Sequence, residues 1–339
     1  MKADDEPILA SILIPVLNEE EHIRDTVAAM RAQRADGRLE FLFMDGRSED
    51  STKAILEEIG REDPRVRVLD NPERRTAHGL NVGLAAARGE YVVRMDAHGI
   101  YPRDYVKLGV ERLERGDTEW VAGPAVPQGT GTWSRRVAIA LESGLGAGGS
   151  SKWTPGAEES ELDTGVWAGV WRRETLERFG GWDVGWPVNQ DSELAARFLD
   201  DGGRIVMVPG MAARYFTRDT LKGLAKQYAR YGFYRAKTAR RHPSSMRRSH
   251  VLAPGVALAP IVAVAGPRPL GAAARVGLLA YAALLATQAA RTARTNGSSD
   301  AAALPIVWAV MHFSWGYGFL WHSLRHGPPL AALARLARR

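Results

Sequence analysis

Residues 8–20 read ILASILIPVLNEE, and this stretch decides the fold. Ile8 to Pro15 is an apolar run without strict alternation, which is typical of a β-strand buried on both faces. Residues 19–32 then place apolar side chains at every third or fourth position, which is the period of a helix. Asn18 stands where the N-cap of that helix is expected. The stretch therefore predicts a buried strand followed directly by a covering helix.

The same alternation continues as far as residue 95. Further patterns follow in the chain order strand 39–44, helix 48–60, strand 66–69, helix 79–87 and strand 91–95. Ser48 and Asp50 are the cap candidates of the helix that begins near residue 48. Strands that alternate with helices predict an α/β fold with a doubly wound, mostly parallel sheet. In such sheets, ligands bind at the carboxyl ends of the strands.

The composition changes after residue 126. Residues 127–163 are rich in Gly, Ser and Thr and predict a long, mobile connection. Helices are predicted over 190–200 and over the basic segment 219–241. Three mainly apolar runs follow, at 251–266, 276–290 and 301–321. They predict short, tilted or re-entrant membrane helices or helices in the membrane interface, and a soluble Ala-rich helical subdomain is the alternative.

Charge is divided unevenly along the chain. The formal net charge is +6, but residues 221–339 carry 17 Lys and Arg against one acid, Asp300. The net charge of that part is therefore +16, and the net charge of residues 1–220 is −10. A basic C-terminal part predicts an anionic partner, either a phospholipid surface or a nucleic acid.

Two further features of the sequence exclude some kinds of site and predict where the N-terminus lies. The chain has no Cys, which excludes disulfide frameworks, thiolate zinc sites, iron–sulfur clusters and Cys nucleophiles. Met1 to Pro7 is acidic and polar, so we predict no secretory signal and a cytosolic N-terminus.

Polar residues follow two of the predicted strands. Asp96 and His98 come just after strand 91–95, and their spacing places both side chains on one side of an extended chain. A carboxylate and an imidazole can bind Mn²⁺ or Mg²⁺ together with phosphate oxygens. Asp45 ends strand 39–44 and can accept a hydrogen bond from a nucleobase imide or a ribose hydroxyl. The alternative for each carboxylate is a structural role in capping a turn.

Two later segments carry further candidates. Asp191 lies at the start of helix 190–200, where the helix dipole favours the carboxylate anion, and an ionised carboxylate in a cleft can act as a general base. Gln227, Arg230 and Tyr231 share one face of helix 219–241. An amide and a guanidinium there can contact diphosphate oxygens. The alternatives are a simple helix cap and an ordinary solvated basic helix.

The order of these signals resembles the inverting family 2 glycosyltransferases, which have the GT-A nucleotide-sugar fold. The strings that carry the resemblance are ILIPVLNE at 12–19, MDGRSEDST at 44–52, NP at 71–72, GLNVG at 79–83, ARGE at 87–90, RMDAH at 94–98, NQDSEL at 189–194 and QYARY at 227–231. The family usually has Glu where Gln190 stands and Trp where Tyr231 stands. The Asp-Ala-His form and the string HFSWGYGFL at 312–320 are similar to the membrane-associated glucosyltransferases of succinoglycan-type exopolysaccharide assembly.

The resemblance implies a role for each matching residue. Those proposed to bind the nucleotide sugar are Pro15, Asn18, Glu19, Asp45, Asp96, Gln227, Arg230 and Tyr231. Among them, Asp45 reads the base, and Asp96 with His98 holds Mn²⁺ or Mg²⁺. Asp191 is the catalytic base that deprotonates the acceptor hydroxyl.

The resemblance also implies a substrate class and an arrangement of the chain. We expect a UDP-sugar donor, with glucose as the sugar, and a lipid-linked sugar as the acceptor. The expected regions are a GT-A catalytic domain at 1–218, a basic amphipathic helix and linker at 219–250, and apolar C-terminal helices at 251–339. These helices are expected to associate with the cytoplasmic face of the cell membrane.

Other functions remain open at this stage. A catalytically inactive nucleotide-sugar-binding protein would keep the pocket but would not need Asp191 as a base. A glycosyltransferase that acts on a soluble small-molecule acceptor is a further alternative. A nucleic-acid-binding protein is disfavoured because the basic C-terminal part has apolar runs and no recognition module. An NAD-dependent dehydrogenase is disfavoured because no Gly-x-Gly-x-x-Gly follows the first strand.

Overall fold

The structure is a computed structural model that describes residues 6–148, 150–153, 158–296 and 299–338. Most of the acidic N-terminal segment therefore lies outside the described residues. The chain forms two compact units. The first unit comprises Met1–Val126 and Thr154–Tyr215, and the second comprises Pro127–Trp153 and Phe216–Arg339.

The described residues form eleven strands. They are β1 Ile8–Val16, β2 Arg38–Asp45, β3 Val66–Asp70, β4 Tyr91–Arg94, β5 Gly99–Ile100, β6 Trp120–Ala122, β7 Ala125–Gln128, β8 Ser160–Leu162, β9 Gly169–Arg172, β10 Ile205–Met207 and β11 Ala213–Phe216.

The same residues form thirteen α-helices. They are α1 Ile23–Arg31, α2 Thr52–Glu62, α3 Thr76–Ala86, α4 Tyr105–Glu114, α5 Thr132–Leu141, α6 Gly144–Ala147, α7 Arg173–Arg178, α8 Gln190–Asp200, α9 Leu221–Arg241, α10 Ser249–Ala265, α11 Arg268–Asn296, α12 Leu304–His326 and α13 Leu330–Ala337.

An eight-stranded sheet forms the centre of the first unit. Its strand order is β3-β2-β1-β4-β9-β6-β10-β8, and a second sheet has the order β5-β11-β7. Strands β3, β2, β1 and β4 are parallel, and so are β6 and β10. Strand β9 runs antiparallel between β4 and β6, and β8 runs antiparallel to β10. The parallel-rich α/β fold predicted from the sequence is confirmed.

The apolar runs of the sequence form the core of this sheet. Ile12, Leu13 and Ile14 of β1 are fully buried, as are Leu42 and Phe43 of β2. Full burial of such a side chain stabilises the fold by about 1.5–3 kcal/mol. The paired register aligns the ends of β1 and β2, so that the loops that follow them start side by side.

The prediction that Asn18 caps the first helix is wrong. Helix α1 begins at Ile23 with His22 at the N-cap, and Asn18 has a left-handed backbone with φ of 54°. The physical reason is competition: the side-chain oxygen of Asn18 accepts a hydrogen bond from the backbone N–H of Glu49 (2.8 Å). Helix α2 begins at Thr52, and the Asp50 carboxylate accepts a hydrogen bond from the backbone N–H of Thr52 (3.0 Å), whereas Ser48 lies too far before the helix to cap it.

The long connection predicted over 127–163 is also wrong for most of its length. Helices α5 and α6 and strand β8 lie there, while residues 149 and 154–157 are outside the described part of the chain. The N-terminus of helix α5 receives a cap from far along the sequence, in addition to the local hydrogen bond from the Gly131 N–H to the Ser134 hydroxyl (2.9 Å). The carboxylate of Asp219 accepts a hydrogen bond from the backbone N–H of Ser134 (2.8 Å). Asp219 therefore caps α5, whereas α9 begins at Leu221 after its own cap, Thr220.

Helix α12 packs directly against neighbouring helices of the second unit. A Cβ at Gly232 of α9 would overlap the carbonyl oxygen of Trp315, and one at Gly318 would overlap that of Ala229. A Cβ at Gly316 would overlap the carbonyl oxygen of Ala253 in α10. By length and composition alone, the segments 268–295 and 299–326 could each cross a membrane.

Candidate active site

The loop after β1 is joined to the loop after β2 by a polar network. The Asp45 carboxylate is 1% exposed and accepts a hydrogen bond from the Ser48 hydroxyl (2.6 Å). The same hydroxyl accepts the backbone N–H of Asn18 (2.9 Å). The backbone N–H of Glu19 donates to the Thr52 hydroxyl (2.7 Å). Asn18, Glu19 and Asp45 are therefore brought together, and Ser48 is a residue of this site whose role the sequence analysis missed.

Glu19 connects this network to the residues after β4. Its carboxylate, which is largely buried, lies 2.8 Å from Nε2 of His98. The His98 side chain is itself well exposed. Pro15 lies in β1 opposite Met44, at the same edge of the sheet. The imidazole that the sequence assigns to a metal thus has a carboxylate partner in this structure.

Arg94 pairs with Asp96 through two parallel hydrogen bonds. Nε of Arg94 donates to Oδ1 of Asp96 (2.9 Å) and Nη2 donates to Oδ2 (3.1 Å). The guanidinium is buried, and its Nη1 has no hydrogen-bond partner among the described residues. Such a bidentate pair fixes both the position and the orientation of the carboxylate. The sequence analysis missed this pair, although an Arg inside the buried strand YVVR was a signal for it.

Two carboxylates interact with the guanidinium of Arg94. Burial alone would lower the pKa of the guanidinium, but the carboxylates of Asp96 and then of Asp191 outweigh this and raise that pKa. Asp191 and Asp96 therefore lie within electrostatic range of the same buried cation. The backbone N–H of Asp96 donates to the hydroxyl of Tyr101 (2.7 Å), whose pKa is raised by burial, so this phenol stays neutral.

The start of α8 positions Asp191. Asn189, the N-cap residue, has a left-handed backbone with φ of 60°. Gly165 approaches so closely that a Cβ there would overlap the carbonyl oxygen of Asp191. One turn later, the fully buried carboxylate of Glu193 pairs with Arg197 (2.9 Å). The Arg197 guanidinium also donates to the carbonyl oxygens of Phe179 and Gly181, so α8 is fixed to the preceding turn.

Asn81 of α3 holds that same turn from its other side. Its side-chain Nδ2 donates to the Trp182 carbonyl (2.8 Å), and its Oδ1 accepts the Trp182 N–H (2.9 Å). Gly181, with φ of 69°, leaves the space that Asn81 occupies, because a Cβ there would overlap Oδ1. The GLNVG string therefore contacts the segment that leads to Asp191.

The donor set after β4 fits a divalent cation in part. Among the described residues, no three His, Asp or Glu side chains form a group that could hold a metal ion. Each Asp96 oxygen accepts one bond from Arg94, and a carboxylate oxygen can accept two partners. One carboxylate and one imidazole, completed by diphosphate oxygens and water, suit Mn²⁺ or Mg²⁺.

The remaining predicted residues lie on α9 in the second unit. Nε2 of Gln227 donates to the Tyr231 hydroxyl (3.0 Å), and the Tyr228 and Tyr231 rings are 5.6 Å apart. Arg230 is exposed. The helix and the shared face are as predicted, while the contact of this face with a diphosphate stays a prediction.

Comparison with known proteins identifies the family. The family model "Glycosyl transferase family 2" matches residues 11–162. The succinoglycan biosynthesis protein ExoA of Rhizobium meliloti is 32% identical over 323 residues, which are 92% of this chain and 94% of that protein. This chain belongs to glycosyltransferase family 2.

Two further comparisons extend this result. A dolichyl N-acetyl-alpha-D-glucosaminyl phosphate 3-beta-D-2,3-diacetamido-2,3-dideoxy-beta-D-glucuronosyltransferase of Methanococcus voltae is 25% identical over 66% of this chain and 71% of its own length. The mannosyltransferase PcManGT of Pyrobaculum calidifontis, solved with GDP-Man and Mn²⁺, superposes with a TM-score of 0.53 at 23% identity. That match covers 99% of this chain and 88% of PcManGT. The family 2 glycosyltransferase described here has the GT-A fold.

Proposed function

We propose that this enzyme transfers a hexose, glucose, from a UDP-sugar to a hydroxyl group of a lipid-linked sugar, with inversion, in the synthesis of a polysaccharide or glycolipid. The observation that carries the proposal is that the carboxylates of Asp96 and Asp191 both act electrostatically on one buried guanidinium, that of Arg94. We infer that the donor-side carboxylate and the candidate base serve one site in the first unit. The similarity to the succinoglycan biosynthesis protein supports a role in polysaccharide synthesis.

The nucleotide side of the site follows from the joined loops. We assign Pro15, Asn18, Glu19 and Asp45 to the nucleoside, and the network through Ser48 holds the Asp45 carboxylate in a fixed position for it. Rigid support of this kind lowers the cost of ordering the site when the donor binds. Asp96 and His98 are the residues that would hold the divalent cation. The cation, when bound, neutralises the negative charge that develops on the departing diphosphate.

Asp191 supplies the one proton transfer that the reaction needs. Direct attack of the acceptor hydroxyl on the anomeric carbon forms the new C–O bond and releases the nucleoside diphosphate from the opposite face. The carboxylate of Asp191 takes the hydroxyl proton, and no second carboxylate nucleophile is required. We assign Gln227, Arg230 and Tyr231 of α9 to the diphosphate and the acceptor.

The basic and apolar C-terminal parts support an acceptor at a lipid surface. We retain the division into a catalytic domain at 1–218, a basic helix and linker at 219–250, and membrane-associated helices at 251–339. The expected location is the cytoplasmic face of the cell membrane.

A donor panel tests the proposal directly. The purified enzyme is incubated with UDP-, GDP- and dTDP-sugars, with Mn²⁺ or Mg²⁺ and a membrane lipid extract, and released nucleoside diphosphate is measured. We expect UDP-glucose to give the highest turnover. Release from a different donor would contradict the sugar assignment, and donor binding without any release would favour the inactive nucleotide-sugar-binding protein.

Asp191→Asn tests the base. General-base catalysis contributes about 10²–10⁴-fold, so turnover should fall by at least that factor while UDP affinity, measured by calorimetry, is kept. Asp201→Asn, just beyond the other end of α8, is the matched control and should keep full turnover. Near-normal turnover of Asp191→Asn would contradict the assignment.

A further inference from the structure

Helices α10 and α11 expose an unusual amount of apolar surface. Their exposed large apolar side chains are Val251, Leu252, Leu258, Ile261 and Val264 in α10, and Leu270, Val276, Leu279 and Leu284 in α11. Val264 is 88% exposed and Leu279 is 72% exposed. The two helices are neighbours, because Nε of Arg275 donates to the Ala263 carbonyl (3.1 Å). Surfaces of this kind mark interaction sites. Their spacing places these side chains on several sides of the two helices, and we call the exposed surface that the nine form together the apolar face.

Helix α12, although apolar, is more enclosed by the rest of the second unit than α11 is. Its Trp308 indole donates to the Ala140 carbonyl (3.2 Å), and its His312 ring contacts the Leu145 carbonyl (3.0 Å) and the Tyr281 hydroxyl (2.8 Å). In the most apolar part of segment 299–326, 39% of the residues are buried, against 11% in the most apolar part of segment 268–295. The two segments that are long enough to span a membrane therefore have different surroundings.

The contact between α9 and α12 argues against a membrane-spanning α12. Gly232 and Gly318 bring the backbones of the two helices together near the midpoint of each helix. Arg230 is exposed two residues before Gly232. If α12 crossed a bilayer, this guanidinium would lie near the bilayer midplane, where a charged side chain is strongly disfavoured.

The charges of α11 argue against a spanning α11. Its stretch without charged residues runs from Val276 to Ala290, between Arg275 and Arg291. At 1.5 Å per residue this stretch is about 22 Å long, which is shorter than the hydrocarbon core of about 30 Å. Helix α10 is a poor spanning helix as well, because it has 17 residues and contains Pro254 and Pro260.

We propose that the second unit binds one leaflet of an anionic phospholipid membrane through the apolar face, and that no helix of the described residues crosses the bilayer. The charges next to the apolar face favour anionic lipid as the partner. Arginines lie just before α10 and towards both ends of α11, at Arg247, Arg248, Arg268, Arg275, Arg291 and Arg294. Cationic side chains beside an apolar helix face are typical of interfacial helices on anionic lipid. This inference deepens the membrane association in the proposed function and rests on it.

Vesicle flotation with a matched pair of variants tests the face. Val264→Glu/Leu279→Glu places two charges on the apolar face, at side chains too exposed to support the fold. Ala54→Glu/Ala85→Glu adds the same charge to exposed positions of α2 and α3 in the first unit. We expect the unaltered chain and the control to float with vesicles of phosphatidylglycerol and phosphatidylcholine, and the Val264/Leu279 variant to lose at least nine-tenths of its binding. Equal flotation of the two variants would overturn the proposal.

The lack of Cys in the chain allows a test of topology. Single Cys residues are introduced at Arg268, Thr295, Ala302 and Arg325, which are exposed positions at or near the ends of α11 and α12. Sealed inside-out membrane vesicles from expressing cells are treated with a membrane-impermeant maleimide, with and without detergent. We expect all four positions to react without detergent. Reaction at only one end of either helix would overturn the proposal, while membrane association itself would stand.

The remaining outcomes separate this inference from the proposed function. If the chain does not float and the Val264/Leu279 variant instead shifts a dimer to a monomer in sedimentation, the face is a contact between copies and the proposal fails. Release of UDP is measured on the same samples. Loss of that activity with normal flotation would contradict the proposed function and leave the membrane inference intact.

Discussion

Arg94 changes the chemical character of the residues around it. Two free carboxylates near a departing diphosphate would repel it, whereas a buried guanidinium that interacts electrostatically with both supplies compensating charge. It also orients Asp96 through two hydrogen bonds. At the scale of single residues, the site is therefore a carboxylate fixed by a cation and not a pair of independent acids.

Asp96→Asn tests the metal assignment. The amide has one fewer acceptor oxygen and no charge, so we expect UDP affinity to lose its dependence on Mn²⁺. The measurement is calorimetric titration of UDP with and without Mn²⁺. Asp70→Asn, at the exposed end of β3, serves as the control and should leave the dependence unchanged. If the unaltered enzyme binds UDP equally with and without Mn²⁺, the metal role is wrong.

The buried pair of Glu193 and Arg197 provides a prediction about stability. Glu193→Gln leaves a guanidinium without its charged partner, which should lower the free energy of unfolding by about 3–5 kcal/mol. The exposed pair of Arg173 and Glu177 has the same spacing, and Glu177→Gln should cost no more than about 0.5 kcal/mol. Urea unfolding measures both. Similar losses for the two variants would contradict the importance of burial.

At the scale of elements, the strands were more predictable than the helix ends. A short apolar run such as Ile8 to Pro15 is typical of a buried strand, and β1 forms there. The start of α5 could not be predicted, because the carboxylate that caps it belongs to Asp219, 85 positions away. The Arg94 pair was missed although Arg94 and Asp96 are two positions apart, a spacing that places both side chains on the same side of an extended chain.

The close contact between α9 and α12 leads to a prediction about the stability of the second unit. Gly232→Ala forces a methyl group against the Trp315 carbonyl, and such overpacking should destabilise the second unit by roughly 1–3 kcal/mol. Gly277→Ala in α11 meets no neighbouring atom and should instead stabilise its helix by about 0.5–1 kcal/mol. Thermal unfolding followed by circular dichroism compares the two. Stabilisation by Gly232→Ala would show that the helices do not touch there.

At the scale of the whole molecule, the charge asymmetry predicts a salt-dependent affinity for membranes. Residues 221–339 are strongly basic, and each Lys or Arg near an anionic surface contributes about 1 kcal/mol. Raising the salt from 0.1 M to 1 M shortens the screening length from about 10 Å to about 3 Å. We expect binding to phosphatidylglycerol vesicles to weaken by about tenfold or more, while weak binding to pure phosphatidylcholine changes little. Salt-independent binding to both would contradict an electrostatic contribution.

The path of the chain also affects how the protein folds during synthesis and where it can be cut into fragments. The chain leaves the first unit after Val126, builds α5 and α6, and only then returns to supply β9 and β10. During synthesis on the ribosome, the central sheet therefore stays incomplete until residues near 207 have emerged. A fragment cut after residue 215 would contain α5 without the Trp308 that bonds to its last turn. Its uncovered apolar residues would favour aggregation, so a well-behaved fragment of the first unit should replace 127–153 with a short linker.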